Sequence, residues 1–219
     1  MSSLVELLTE NFGALASGFW VTCRLVAGSF ILAAVVGTLV AGLRIAPSKW
    51  LQRAGGVYVE TFRNVPLLVL LVISYAGLRR SGVAIDTWTA GIGALGLYTA
   101  AYFAEVLRSG VFAVSRGQIE ASLSLGFDYP QTLRRIVLPQ ALRTVISPVG
   151  SITIAMIKNS AIVGAALAVN DMLKEARILN SQTFETEAAF FWAVVGYLLL
   201  TVAATIAIRV LEQRYQIRR

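Results

Sequence analysis

Histidine is absent from this sequence, and cysteine occurs only once, at Cys23. A single cysteine cannot form a disulfide within the chain, and without histidine or a second cysteine no Cys/His cluster can hold a metal ion. The sequence therefore predicts neither a disulfide framework nor a metal site. Cys23 lies within an apolar stretch and is expected to be a packing residue.

Charged residues are also scarce, at 14% of the chain, whereas hydrophobic residues make up 57%. A soluble domain of ordinary composition has about 25% charged and about 45–50% apolar residues. A chain with so little polar surface is expected in lipid. The net charge of +7 would suit a nucleic-acid-binding protein, but the basic residues are scattered between apolar runs, so no nucleic-acid partner is expected.

Five apolar stretches are candidates to cross a bilayer as helices, which takes about 20 residues each. The predicted spans are residues 18–43, 57–78, 87–108, 142–170 and 188–210. The second stretch is short, so its helix is expected to begin earlier and to carry Glu60 and Arg63 at its edge. The predicted fold is all-α, a single transmembrane domain over residues 1–219.

The positions of lysine and arginine between these spans predict the orientation of the chain. Thirteen of the 19 basic residues fall on one side, and four fall on the other. The richer side contains the connection between the first two spans, the loop at 109–141 and the C-terminal end. Because cytoplasmic loops carry the excess of basic residues, the C-terminus is predicted to be cytoplasmic and the N-terminus external.

The loop at 109–141 is predicted to contain two short helices. Residues 118–125 have helical character, and Gly126 suits the end of that helix. Pro130 suits the first turn of the second helix, and Pro139 is expected to break it before the fourth span. Two-turn helices are marginal alone, so a partner or the membrane surface is expected to support them.

The connection at residues 171–187 is polar and contains one aspartate and three glutamates. It is expected to be an external loop with a short helix.

Small and apolar residues recur at fixed spacing in the cytoplasmic loop. The chain has Glu120-Ala121-Ser122, three residues, Gly126, nine residues, Ile136, one residue, and Leu138-Pro139. This pattern resembles the loop signature of permease subunits in binding-protein-dependent ABC importers, E-A-A-x3-G-x9-I-x-L-P. Ser122 stands where a second alanine is usual, and because serine is nearly as small, no loss of close packing is expected.

Further segments resemble the branch of that family that imports polar amino acids. They are residues 101–105 with 108–110, residues 60–67, and Lys158-Asn159-Ser160, the last resembling its acidic amino acid members. The resemblance covers about residues 18–211 and is closest to glutamate-type permeases. That branch often has a glutamine shortly after the Pro-Leu of the second span, where this chain is wholly apolar from Leu68 to Leu71.

The resemblance implies a type I ABC importer permease fold in a bacterial cell membrane. It implies as partners a second permease chain, identical or homologous, an ATPase dimer and an external binding protein that delivers the amino acid. The chain contains no G-x-x-x-x-G-K-[ST] phosphate-binding loop, so ATP and Mg²⁺ are expected on the ATPase. This chain is accordingly expected to be a transporter subunit without a cofactor of its own, and not an enzyme.

The resemblance also implies that the first loop helix docks into a groove on the ATPase. Small residues would allow close approach, leucines and phenylalanine would supply apolar contacts, and Gly126 would allow a turn that a Cβ hinders. The alternative is an amphipathic loop that lies on the membrane. The candidate coupling residues are Glu120, Ala121, Ser122, Leu123, Leu125, Gly126, Phe127, Ile136, Leu138 and Pro139.

Lys158 interrupts an apolar span near its middle, where a charge costs at least about 2.5–3.5 kcal/mol. It is expected to face the substrate path, with hydrogen bonds from Asn159 and Ser160 or a local break of the helix there. The alternative is a structural ion pair, for example with Glu105. A cation without a central acid favours glutamate or aspartate as substrate, with glutamine or a basic amino acid as alternatives. An ion-gradient transporter is less favoured, because no repeat is visible.

Other charged residues lie near the ends of the predicted spans. Arg24 is expected to extend toward the outer interface, with a role in the substrate path as the alternative. Glu105 with Arg108, and Glu60 with Arg63, have the i,i+3 spacing of helical ion pairs, and a gating role is the alternative for both pairs.

Overall fold

A computed structural model describes the backbone of residues 2–215, and these residues form helices and their connections without a strand. Arg218 and Arg219, which contribute to the predicted cytoplasmic charge, lie outside the described residues. The helices are α1 (Ser2–Ile45), α2 (Lys49–Asn64), α3 (Leu67–Val72), α4 (Leu78–Arg80), α5 (Thr87–Phe112), α6 (Arg116–Ser124), α7 (Tyr129–Thr132), α8 (Leu138–Thr144), α9 (Ile146–Leu167), α10 (Met172–Thr183) and α11 (Thr186–Tyr215). Two π-helical turns, Ile73–Gly77 and Leu133–Val137, join α3 to α4 and α7 to α8.

The first helix is much longer than the span predicted for it at 18–43. Its 44 residues extend over about 66 Å, roughly twice the apolar thickness of a bilayer. Asn11 departs from helical geometry (φ −117°, ψ 18°), and its side-chain Nδ2 donates to the Leu7 carbonyl at 3.1 Å. The segment before the expected span therefore adds a helical layer that packs against α10 and the first turns of α11.

The second predicted span, 57–78, is not one straight helix. The chain bends by 102° between α2 and the helical run that begins at Leu67. Pro66 explains the bend, because it lacks an N–H and holds Val65 extended (φ −94°, ψ 129°). The described residues thus contain four uninterrupted candidate spans, or five if the bent pair is one span.

The other predicted spans correspond to α5, α9 and α11. The side chain of Asp86 caps α5 by accepting from the Thr89 amide at 2.9 Å. The fourth span is shorter than the predicted 142–170, because Val145 (φ −92°, ψ −6°) interrupts the helix before it and Ala168 is left-handed (φ 57°) after it.

The predicted break at Pro139 is wrong. The chain remains helical from Tyr129 to Thr144, and the interruption falls at Val145. A proline inside a helix lacks one N–H and crowds the carbonyl four residues earlier. The wider π-helical turn directly before Pro139 relieves that crowding, so the helix continues through it.

Three local predictions in the same loop and beyond it are confirmed. After α6, Gly126 adopts φ 86°, and its N–H donates to the Leu123 carbonyl at 3.0 Å. Pro130 lies in the first turn of α7, whose capping residue Asp128 accepts from the Gln131 amide at 2.7 Å. The connection at 171–187 contains the expected short helix, α10.

The second half of α1 packs along most of α5, and this pair forms the centre of the molecule. Glycine makes this close approach feasible: a Cβ at Gly37 would lie 2.5 Å from Phe103 Cβ, and one at Gly96 would lie 2.7 Å from Leu32 Cδ2. Around this pair, Leu25, Leu95 and Val163 are fully buried. The other helices pack around this central pair, and α9 contacts both of its members.

Candidate functional sites

The first half of the loop pattern is exposed on α6. Ser122 is the buried residue of this helix, whereas Leu123 is 46% exposed and Leu125, the residue directly after the helix, is 79% exposed. Glu120 and Ala121 are exposed beside them. A polar loop that shows two leucines to water presents a surface suited to an apolar partner.

The second half of the pattern lies beside the membrane helices, with Leu138 36% exposed and Pro139 exposed. Leu138 borders an apolar cavity of about 210 Å³ with Leu107 of α5, and Ile136 is half-buried. Helix α8 fits closely against α5, because a Cβ at Gly110 would lie 3.1 Å from the Ala141 carbonyl oxygen and would overlap Val145, the residue that follows the helix. The structure therefore divides the pattern into an exposed contact surface and an anchor on the spans.

The expected ion pair between Glu105 and Arg108 is present, with Arg108 Nη2 2.6 Å from Glu105 Oε1. Glu105 also pairs with Arg44, at the end of α1. Sequence reasoning missed Arg44, because the two residues are 61 positions apart and no local pattern joins them. The pair network ties α1 to α5.

The second pair of that spacing is not an ion pair among the described side chains. Instead, the Arg63 guanidinium lies 5.4 Å from the centre of the Tyr102 ring, a cation–π geometry. Glu60 and Arg63 nevertheless line the same polar cavity, of about 370 Å³, as the Arg44–Glu105 pair. Its lining is Arg44, Val59, Glu60, Arg63, Asn64, Tyr102 and Glu105.

Lys158 is exposed on α9, and no acidic partner for it is found among the described side chains. The alternative partner named above, Glu105, is engaged by two arginines. Helix α9 continues through Asn159, so no local break occurs there. Ser160 is buried, and its hydroxyl donates to the Ile157 carbonyl at 2.7 Å, which places it in the helix packing.

The exposed face of α9 carries small and polar residues. Ser151, Ala155, Lys158 and Ala165 follow each other at helical spacing along it. Such a face is unlike the exposed part of α11, which presents large aliphatic residues such as Leu198 and Val202. The α9 face is therefore suited to a protein or aqueous neighbour rather than to lipid.

Arg24 lies at the end of the molecule predicted to be external. Its guanidinium is 5.6 Å from the centre of the Trp88 ring. Together with Thr87, Ala168 and Asn170, it lines a surface cleft of about 370 Å³. Arg24 is therefore exposed, as expected of a residue near the end of a span, and it also lines this cleft.

A buried carboxylate at the same end was not anticipated from the sequence. Asp171 is fully buried, and it accepts from the Lys174 amide at 3.0 Å and from the Tyr197 hydroxyl at 2.8 Å. Thr22 of α1 accepts from the next amide, and Asp171 occupies the space beside Gly164. Burial raises the pKa of the Asp171 carboxyl, while its hydrogen bonds act in the opposite direction. An aspartate before a helix predicts a cap, but nothing local predicts its burial.

Comparison with known proteins bears on these sites. The family described as binding-protein-dependent transport system inner membrane component matches residues 33–217. The probable glutamine ABC transporter permease protein GlnM of Bacillus subtilis (strain 168) is 38% identical over 216 residues, covering 97% of this chain and 98% of the relative. The glutamate transport system permease protein GluC of Corynebacterium glutamicum is 34% identical over 223 residues, covering 94% and 96%. The crystal structure of an amino acid ABC transporter with histidines contains a chain of TM-score 0.89 and 29% identity, with 94% of this chain and 96% of that one aligned.

Proposed function

The chain belongs to the family of binding-protein-dependent transport system inner membrane components, as a permease of an amino acid ABC importer, and we propose that it forms the path for an acidic amino acid. As a permease, it is a multi-pass inner-membrane protein and not an enzyme, since the ATPase is a separate subunit. Glutamate or aspartate is the leading substrate of the proposal.

The observation that carries the substrate proposal is the exposed Lys158 near the middle of α9. An ammonium group at this depth is costly unless water, an acid or a substrate carboxylate faces it. The described side chains supply no acid, which favours a substrate with a second carboxylate. Glutamine is the second candidate, because one relative of 38% identity is named a probable glutamine permease.

The path itself is proposed to run along the exposed face of α9. In the complete importer, the face with Ser151, Ala155 and Lys158 would meet a second permease chain, identical or homologous. Arg24 and the cleft beside Trp88 would form part of the outer entrance, which the external binding protein would cover. Small residues on this face would let the two chains separate and approach without repacking large side chains.

At the other end, the polar cavity with Glu60 and Arg63 is proposed to act as a cytoplasmic gate. Arg44 of α1 and Arg108 of α5 both pair with the Glu105 carboxylate. In this proposal, α1 and α5 move as one unit while the Arg44–Glu105 pair is intact, and they move apart only when that pair breaks.

Coupling to the ATPase dimer, which would hold ATP and Mg²⁺, is proposed to occur through α6. Exposed Leu123 and Leu125 would fill the apolar groove of the ATPase, and Gly126 would allow the turn that follows. Closure of the ATPase would then move the loop, and α8 would transmit the motion to α5.

The substrate proposal is tested with Lys158→Ala and Lys158→Arg in proteoliposomes that contain the ATPase and binding protein. Lys158→Ala is expected to raise the KM for glutamate about tenfold, the loss expected when a charged group loses its partner, while Lys158→Arg stays within about threefold. Glutamine uptake should change less than glutamate uptake. An unchanged KM in Lys158→Ala would remove the proposed role of this residue.

The same preparation separates the importer from an ion-gradient transporter. Uptake should stop when ATP is removed from the ATPase side and a proton gradient is kept. Continued uptake under that condition would favour the ion-gradient alternative.

A further inference from the structure

Two short helices of the cytoplasmic loop each contain one buried residue, and these two residues contact each other. Ser122 of α6 is 3% exposed, and Thr132 of α7 is 1% exposed. Their hydroxyl oxygens are 2.8 Å apart. Because α6 has only nine residues, it cannot hold its position through its own helical hydrogen bonds, and this buried contact gains importance.

Each hydroxyl of the pair has a single hydrogen to donate. Ser122 Oγ can donate its hydrogen to the Ile119 carbonyl at 2.9 Å. Either hydroxyl can donate across the pair, and both contacts of Ser122 are hydrogen bonds when Thr132 donates to Ser122 Oγ. Both buried hydroxyl groups are satisfied in this arrangement, as is usual for buried polar atoms.

Two further contacts, a backbone hydrogen bond and a cation–π contact, lie beside the pair. The Phe127 amide donates to the Ser122 carbonyl at 3.2 Å, and the Arg135 guanidinium lies 5.8 Å from the centre of the Phe127 ring. These contacts lie in the turn and in the following helix, and they act on the same junction between α6 and α7.

Thr132 also connects this junction to the membrane helices. It is the last residue of α7 and directly precedes the π-helical turn that continues into α8. Helix α8 in turn packs closely on α5 at Gly110. A continuous series of contacts therefore leads from the exposed leucines of α6 through Ser122 and Thr132 to a central span.

We propose that the Ser122–Thr132 hydroxyl pair is a positioning device that fixes the angle of α6 relative to α8, and so determines how much ATPase motion reaches the spans. This inference rests on the proposed coupling function of α6. It gives the serine at the second alanine position of the loop signature a function that its small size alone does not provide. Thr132 is the matching residue, and no sequence pattern singled it out.

The competing explanation is purely local. A serine in a helix commonly bonds the carbonyl one turn earlier, as Ser122 does with Ile119, and this bond alone would make Thr132 a neutral neighbour. In that case only the size of residue 122 would matter, and Ser122→Ala would behave as the wild type.

The test uses the complete importer in proteoliposomes and measures amino acid transported per ATP hydrolysed, together with co-purification of the ATPase. Thr132→Val keeps the shape and removes the hydroxyl, and Thr132→Ser keeps the hydroxyl as the matched control. We expect Thr132→Val to retain the ATPase but to lower the transport ratio roughly fivefold, the factor that corresponds to about 1 kcal/mol for one lost hydrogen bond. Thr132→Ser should keep the wild-type ratio.

Ser122→Ala is the second variant, and the residue it introduces is usual in the loop signature, so it is expected to fold. It should lower the ratio as Thr132→Val does, and the double variant should be no worse than either single one, because the pair acts as a unit. Wild-type ratios in both single variants, equal losses in Thr132→Val and Thr132→Ser, or additive losses in the double variant would overturn the inference.

Gly126→Trp separates this failure from failure of the proposed function. If this bulky residue abolishes co-purification and uptake while Thr132→Val behaves as wild type, the coupling function stands and the positioning role is lost. If Gly126→Trp leaves both measurements unchanged, the coupling function itself fails.

Discussion

At the scale of single residues, the molecule keeps several charges where an apolar environment makes them costly. Glu105 is compensated by two arginines, Asp171 by hydrogen bonds from α10 and α11, and Lys158 by no described side chain. This difference distinguishes structural charges, which the chain itself satisfies, from the charge that we assign to the substrate path.

Asp171 makes the stability of the end where α10 packs on α1 and α11 depend on pH. Its pKa is raised above the ordinary value of about 3.9, chiefly by burial, so the folded chain holds the proton more tightly than the unfolded chain does. The contribution of Asp171 to the free energy of unfolding is therefore largest below that value and is lost as pH rises through the raised pKa. We expect the thermal unfolding midpoint to decline over this range, and Asp171→Asn to reduce the decline while keeping the helix cap.

The measurement is a pH series of thermal unfolding in detergent. Other groups face or adjoin Asp171: the Tyr197 hydroxyl, Lys174, and Glu175, whose pKa burial also raises. Glu175→Gln is therefore measured beside Asp171→Asn to account for the second carboxyl. A pH profile identical to wild type in Asp171→Asn would contradict the prediction.

At the scale of helices, the ends and interruptions determine which surfaces are available. Pro66 bends the second span, and a π-helical turn keeps α8 continuous through Pro139. Helix α10 ends in a residue with an unusual backbone: Phe184 has φ 58° and is 86% exposed. A left-handed conformation costs a residue with a Cβ roughly 1–2 kcal/mol, so this helix end is strained.

Replacing Phe184 by glycine should therefore raise stability, because glycine adopts this conformation without the cost and the exposed ring contributes little packing. We expect a gain of about 1 kcal/mol in the free energy of unfolding, seen as a higher thermal midpoint. Phe184→Ala removes the same ring and keeps the strain, so it is the matched control. Equal midpoints for the two variants would contradict the predicted net gain, in which relief of the strain exceeds the greater freedom of glycine in the unfolded chain.

At the scale of the whole molecule, the chain is incomplete as a transporter. The exposed faces of α9 and α6 differ from the exposed surface of α11, which carries large aliphatic residues. A similar solved structure is that of an amino acid ABC transporter. We interpret both faces as contacts to other subunits, the first to a second permease and the second to the ATPase.

A labelling experiment tests the assignment of the α9 face. Cys23 is the only cysteine, so a Cys23→Ser background allows single probes at Ala155, and at Val202 on α11 as the control. Within the assembled importer, the Ala155→Cys probe should be protected from a membrane-permeant maleimide relative to the isolated chain, and the Val202→Cys probe should react equally in both. Protection of the Val202→Cys probe together with free reaction of the Ala155→Cys probe would place the partner chain on α11 instead of α9.

The sequence by itself determined the all-helical class, the positions of α5 and α11, and the turn and helix start in the loop, because apolar run length, Gly126 and Pro130 act through near neighbours. Both helices extend beyond the predicted spans, to Phe112 and to Tyr215. It also indicated the permease family, which a match over residues 33–217 supports. Only the tertiary structure decided the contacts between distant segments. Arg44 on Glu105, Thr132 under Ser122 and the burial of Asp171 depend on how helices pack, and no local pattern encodes that packing.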